Sequence, residues 1–344
     1  MPAPENYQID TELIPVLAEI FEQFPEGMNG PSSIEERRRL ITGYLSQFPK
    51  NQNVERIDFS VKNSLDDLWV PIRIYRPKLK EVGTGLVFTI HGGGMVMGGI
   101  EEDDGNASWL AEELATTVIA INYQLAPENP FPAALNDCFE VARWILESPE
   151  QLQLLLDKNS EIDISRAIIY GGSAGGNLAL ATAIKLLHGG HKNFQLICAP
   201  YPMLDFKNST PSSHEIIDLG IWDRQANIEA WRWYLGDIED PTLASPASAT
   251  ALASPAYATD LFGLPPVFLD VGSCDLFRDE VNDFVKKLSD AKVPVEFHLY
   301  PGAFHASELF APQARLSKKI WAHRFAAISK IIDKNPRSAN FWLE

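Results

Sequence analysis

The chain has 344 residues, room for one large or two ordinary domains, and its 29 Lys and Arg against 46 Asp and Glu leave a formal charge of −17. A surface this acidic repels phosphate backbones and anionic lipid, so neither nucleic acid nor a membrane is an expected partner. The three scattered cysteines, Cys138, Cys198 and Cys274, provide neither a disulfide framework nor a C-x-x-C metal pair. Residues 1–11 lack a basic and then apolar leader, and no apolar run reaches membrane-spanning length, so the expectation is a cytoplasmic protein without a metal.

Two amphipathic helices are predicted first, over residues 11–24 and 33–48. Leu13, Ile14, Leu17, Ile20, Phe21 and Phe24 recur at helical spacing, and Ser32 or Ser33 with Glu35 or Glu36 can form a capping box. The intervening Pro25-Glu26-Gly27-Met28-Asn29-Gly30-Pro31 reads as a loop. The apolar period then changes to two: residues 54–61 and 68–76 alternate as an antiparallel strand pair around a turn at 62–67. Buried strands follow at 86–90 and 118–121, separated by a glycine-rich loop and a helix at 106–115. A helix at 132–147 carries Pro132 in its first turn. Beyond it, strands at 167–169, 194–199, 266–271 and 295–300 alternate with helices starting near Asn177 and spanning 279–291 and 312–332. Such alternation of continuous Val/Ile/Leu/Phe strands with helices predicts an α/β protein with a parallel sheet covered on both faces, the leading antiparallel pair forming its edge.

One segment interrupts this order. Residues 204–241 carry Phe206, Ile221, Trp222, Trp231, Trp233 and Tyr234 among polar residues, with two short helices and no strand pattern. An insertion between consecutive sheet strands is a natural lid over the strand ends, the alternative being a helical decoration on the core. The echo of Leu243-Ala244-Ser245-Pro246-Ala247 in Leu252-Ala253-Ser254-Pro255-Ala256 is too short for a repeat protein and reads as a turn-rich connection.

Chemistry centres on Gly171-Gly172-Ser173-Ala174-Gly175. Strand, turn and helix around G-x-S-x-G match the nucleophile elbow of α/β-hydrolases, where the turn lifts the serine Oγ clear of the backbone, the alternative being a glycine-rich connection with an incidental serine. A serine needs a base, and the base needs an orienting acid. Asp275 and His305 both follow predicted strands, at the carboxyl ends where parallel sheets place their ligands. Asp279, at the start of a helix, is the reserve acid. His188, His191, His214, His298 and His323 fall in helix ends, the insertion, a helix or a strand interior, and are expected to be structural. Developing negative charge needs backbone donors, and His91-Gly92-Gly93-Gly94 after the first buried strand can supply them; a flexible loop or a phosphate cradle is the alternative. Gly93, Gly94 and Ala174 are the oxyanion candidates. Met95, Val96, Met97, Phe206, Trp222 and Phe304 are candidates to line an apolar substrate pocket, with core packing the alternative for each.

These residues together resemble the hormone-sensitive-lipase-like family of α/β-hydrolases, which includes arylacetamide-deacetylase-like enzymes. The resemblance runs from about Leu86 to the C-terminal helix. It is carried by His91-Gly92-Gly93-Gly94, by Tyr123-Gln124-Leu125-Ala126-Pro127-Glu128 with Phe131-Pro132-Ala133 and Asp137, by the elbow through Gly176, by Asp275-Leu276-Phe277-Arg278-Asp279-Glu280, and by His305 after Tyr300-Pro301-Gly302. It implies the α/β-hydrolase fold: a mostly parallel eight-stranded sheet, helices on both faces and a helical cap. The catalytic domain would then be residues 49–203 and 242–344, and the cap residues 1–48 and 204–241. It also implies a serine carboxylesterase without metal or cofactor, acting on short to medium acyl esters of small apolar molecules. A lactone or amide hydrolase, an acyltransferase and a small-molecule binding protein are the alternatives on the same fold. The family commonly dimerises through its last edge strand, which makes a homodimer an expectation. Two departures stand out: Gly172 replaces the family's Asp before the nucleophile, and Gln124 replaces an Arg.

Overall fold

The computed structural model describes residues 8–24, 33–45, 50–78, 82–156, 161–236, 251–333 and 339–343. In chain order the elements are α1 (Ile14–Gln23), α2 (Ile34–Leu45), β1 (Val54–Lys62), β2 (Trp69–Pro77), β3 (Leu86–Ile90), α3 (Asp104–Glu113), β4 (Thr117–Ile121), α4 (Ala133–Glu147), α5 (Pro149–Leu155), β5 (Ala167–Gly171), α6 (Ala174–His188), β6 (Ile197–Pro200), α7 (Pro211–Glu215), α8 (Arg224–Tyr234), β7 (Val267–Cys274), α9 (Arg278–Asp290), β8 (Val295–Phe304), α10 (Ser307–Phe310), α11 (Arg315–Ile332) and α12 (Ala339–Leu343).

The strands form one eight-stranded sheet in the order β1-β2-β4-β3-β5-β6-β7-β8. β3, β4 and β5 are buried at every position, because parallel strands with helices on both faces have no solvated side. Two apolar clusters cover the faces: Phe88, Ile90, Leu178 and Phe284 belong to one, and Val87, Val118, Ile168 and Phe325 to the other. β1 pairs antiparallel with β2, and β2 antiparallel with β4, at the expected edge.

Several boundaries differ from expectation. β7 reaches Cys274 and β8 reaches Phe304, past the residues where the apolar pattern stops, because the pair continues through a register shift between Gly272 and Cys274. The Ser273 hydroxyl accepts the Gly302 N–H at 2.9 Å within that extension. This added length delivers Asp275 and His305 from adjacent strands. β6 begins only at Ile197, with Phe194 buried before it. The expected helix over 312–332 is α11, which begins three residues later at Arg315, and the short α10 before it was not expected. Pro132 is the residue before α4 rather than in its first turn. The short helices α5 and α12 have too few residues to show a period. The loop at 25–31, residues 46–48 of the second helix, and 237–241 with Leu243–Ala247 lie outside the described residues.

The insertion after β6 holds two helices, α7 and α8. Their caps are local: the Thr210 and Asp223 side chains accept the N–H groups of Ser213 and Ala226. The N-terminal α2 reaches this insertion, with Arg37 paired to Glu229 of α8 at 2.6 Å. Arg38 beside it donates to the Val96 and Ala126 carbonyls at 2.7 and 2.8 Å and pairs with Glu128.

Candidate active site

Ser173 sits between β5 and α6 with φ 59° and ψ −123°, a left-handed backbone that costs a non-glycine residue about 1–3 kcal/mol. The turn is held by Ser173 N–H donating to the Pro200 carbonyl at 3.0 Å and by Met203 N–H donating to the Ser173 carbonyl at 3.1 Å. Glycine is required on either side. A Cβ on Gly171 would lie 2.3 Å from the Gly175 carbonyl oxygen, and one on Gly175 would lie 2.0 Å from that of Ile90.

The sheet brings the three expected side chains together. His305 Nε2 is 3.1 Å from Ser173 Oγ, and His305 Nδ1 is 2.8 Å from Asp275 Oδ2. The second Asp275 oxygen accepts the Phe277 N–H at 2.9 Å, which fixes the carboxylate plane. Tyr201 and Phe277 meet the imidazole edge to face, with ring centres 4.9 and 5.1 Å away. All three polar side chains are buried. Asp279 is engaged by Arg278 and by the Ser212 N–H, and does not take the place of Asp275.

Gly93 and Gly94 have φ of +99° and +65°. Their amide N–H groups have no acceptor among the described residues. Ala174, the first residue of α6, likewise has no acceptor inside its helix, as every helix start requires. The loop is braced by His91, whose ring stacks on Tyr123 at 4.1 Å, while the Tyr123 hydroxyl donates to the His91 carbonyl at 3.1 Å. Burial pushes the His91 imidazole down to about 4, so it is neutral near pH 7.

Both departures have local replacements. A Cβ on Gly172 would meet the Tyr201 ring at 3.1 Å, so tyrosine fills the space. The Tyr201 hydroxyl donates to Glu308 at 2.6 Å, Glu308 also accepts from Arg324 at 2.7 Å, and Arg324 grips Asp270 through two bonds of 2.6 and 2.9 Å. At the second departure, Gln124 donates its backbone N–H to Asp137 at 2.9 Å and its amide to Asp66 at 3.0 Å. Burial raises the Asp137 carboxyl, with the Gln124 N–H and the Asn63 amide opposing the rise.

A cavity of about 210 Å³ surrounds Ser173 and His305. Of the six apolar residues expected to line a pocket, Met97 and Trp222 do so. Met95, Val96, Phe206 and Phe304 are instead buried in the main core, Phe206 against Trp231 and Tyr257. The other lining residues include Ile41 of α2, Ile221 of the insertion, Tyr170 and Tyr201. Spacing alone gave no signal for these, since they come from elements that meet only in the folded chain. Asp103 and Asn106, also in the lining, follow the glycine loop closely enough for its position to have marked them.

Residues 87–309 match the family profile described as the α/β hydrolase fold. The esterase LipI of Mycobacterium tuberculosis is 30% identical over 303 residues, 87% of this chain and 89% of that protein. A versiconal hemiacetal acetate esterase of Emericella nidulans is 32% identical over 256 residues, 71% of this chain and 81% of that protein. Among solved structures, a bacterial heroin esterase superposes with a TM-score of 0.81 at 30% identity, covering 95% of this chain and 99% of the other.

Proposed function

The chain belongs to the α/β-hydrolase fold family, in its hormone-sensitive-lipase-like branch, and on that premise we propose how its residues divide the work of ester cleavage. It is a carboxylic ester hydrolase, as are relatives spanning most of its length. Ser173 is the nucleophile, His305 the general base and then acid, and Asp275 the group that orients the imidazole and stabilises its cation. The single observation that supports these roles most is the unbroken chain of contacts, 3.1 Å from serine to histidine and 2.8 Å from histidine to aspartate.

As Ser173 Oγ attacks the ester carbonyl, its proton passes to His305 Nε2. The oxyanion accepts the N–H groups of Gly93, Gly94 and Ala174, each contributing ~3 kcal/mol to the transition state. The tetrahedral centre collapses and His305 protonates the departing alcohol. Water, deprotonated by the same histidine, then frees the acid and restores Ser173. With about 210 Å³ around the serine, short to medium acyl groups are the fitting class. Ser173→Ala is expected to abolish turnover of p-nitrophenyl acetate with an unchanged thermal melt, and a serine-directed organophosphate should label Ser173 in the parent protein. Parent-like turnover in the mutant would overturn the assignment.

Residues 49–203 and 242–344 form the catalytic part in this reading, and 1–48 and 204–241 the cap. Its support is that Ile41 of α2 and Ile221 and Trp222 of the insertion line one cavity, with Arg37 tied to Glu229. The free edge of β8, last in the sheet, is the surface for a homodimer, which sedimentation velocity would test. Acidic composition and three buried cysteines, none of them in a disulfide, favour the cytoplasm.

A further inference from the structure

Three buried atoms of residues lining the catalytic cavity have no partner among the described residues: His91 Nε2, Asp103 Oδ2 and Asn106 Oδ1. All three are acceptors. His91 Nδ1 lies 2.8 Å from the Gly92 carbonyl oxygen, which only accepts, so the ring proton is on Nδ1 and Nε2 offers a lone pair. The His91 side chain is only 6% exposed and is pinned by its stack on Tyr123. Asn106 spends its amide nitrogen on Asp103 Oδ1 at 3.2 Å, leaving its oxygen unused. Asp103 precedes α3 yet makes no capping bond to it. Each unmet buried acceptor costs about 1–3 kcal/mol, so this is a cavity short of donors.

Asp103 and Asn106, with Glu102 and Leu309, also line a second cavity of about 740 Å³, so the two spaces share a wall. The second is aromatic: Trp109 meets Trp321 edge-on at 4.5 Å and Phe325 at 5.0 Å, and Phe325 meets Trp342 at 4.9 Å. The charged groups around Asp103 are already engaged. Asp104 pairs with Arg56 and Arg73, Glu101 with Arg73 and Lys50, Glu308 with Arg324, and Glu102 accepts the Thr42 hydroxyl. Glu113 and Lys318 also line the second cavity. Asp103 has no cation among the described residues.

We propose that this junction binds the protonated amine of an ester substrate: Asp103 is the counter-ion, Asn106 and His91 add acceptors, and the aromatic chamber holds the apolar body carrying the nitrogen. Ammonium groups suit such walls, since they satisfy carboxylate acceptors and are attracted to indole faces. The inference rests on the esterase reading and names a substrate class for it. Burial pushes the Asp103 carboxyl up to about 7, with Asp104 adding to the rise and Asn106 opposing it, so the counter-ion is charged only at neutral pH and above.

The test compares 2-(dimethylamino)ethyl acetate with 3-methylbutyl acetate, which has the same shape with carbon in place of nitrogen. On the full chain at pH 8, kcat/KM for the amine ester should exceed that for the neutral ester about tenfold or more, as expected for a charged hydrogen bond. The ratio should fall between pH 8 and 6, and approach one in Asp103→Asn; using a ratio cancels any loss of folded protein. A parent ratio near one, as waters filling the acceptors would give, overturns the inference. So does a high ratio that survives Asp103→Asn. Calorimetric titration of Ser173→Ala with both esters reads binding without turnover: equal affinities there overturn the inference while leaving the esterase reading intact. Preference for the amine ester there, with a parent protein that turns over no ester, sustains the amine site and overturns the esterase reading.

Discussion

The two flanks of Ser173 are both polar and both hold buried polar atoms, yet they are built in opposite ways. Beneath the elbow, Asp270, Arg324, Glu308 and Tyr201 form a closed chain, each polar side chain bound to the next at 2.6–2.9 Å. On the side of the glycine loop, His91, Asp103 and Asn106 leave acceptors open. Closed networks of this kind fix a shape, because every member loses energy if another moves. Open acceptors hold no neighbour in place and wait for a donor. Burial of a charged residue therefore does not mark a binding site by itself; the state of its partners does.

The largest test of the contrast is Arg324→Met. Removing the one cation of the closed flank strands Asp270 and Glu308, both almost fully buried. A loss of about 3–5 kcal/mol in urea unfolding at pH 7.5 is expected. A change below about 1 kcal/mol would mean that the chain of contacts is incidental. A smaller effect is expected from Gly172→Asp, which restores the family's residue. The new Cβ would stand 3.1 Å from the Tyr201 ring, and its carboxylate would join Glu308 in the same buried region. Overpacking costs about 1–3 kcal/mol. If like charge adds to that cost, Glu308→Gln in the Gly172→Asp background should recover part of it in a double-mutant cycle, whereas simple additivity would leave sterics as the only cause.

The closed flank also shows where sequence reading stops. Strands β3 to β5 were legible because a strand buried on both faces must be apolar throughout, and the G-x-S-x-G and glycine-loop motifs were legible because backbone geometry dictates their residues. Asp275 and His305 could be chosen because each follows a strand. Nothing local points from Tyr201 to Glu308 or Arg324: Tyr201 follows β6, whereas Glu308 and Arg324 lie in α10 and α11, with Glu308 107 residues further along the chain. The same limit explains the pocket. Met95, Val96, Phe206 and Phe304 have the composition of a lining, and so does any core residue; only the meeting of α2 with the insertion decides that Met97 and Trp222 face the cavity.

The smallest effect carries the most telling sign. Folding raises the Asp103 carboxyl from an ordinary 3.8 to about 7, chiefly by burial, so the folded state holds its proton more tightly than the unfolded chain does. A raised carboxyl contributes stability below about pH 4 and loses it as pH rises through about 7. Asp103→Asn has no proton to lose. Relative to the parent it should show no gain at pH 4 and a gain of about 1 kcal/mol at pH 8, read from urea midpoints at the two values. Arg324→Met must destabilise at pH 8, where its stranded carboxylates are most charged. Opposite signs from two buried charge removals, on two sides of one serine, would separate a flank that holds the fold from one that is kept open at the fold's expense. A loss of stability in Asp103→Asn at pH 8 would instead place Asp103 among the structural residues.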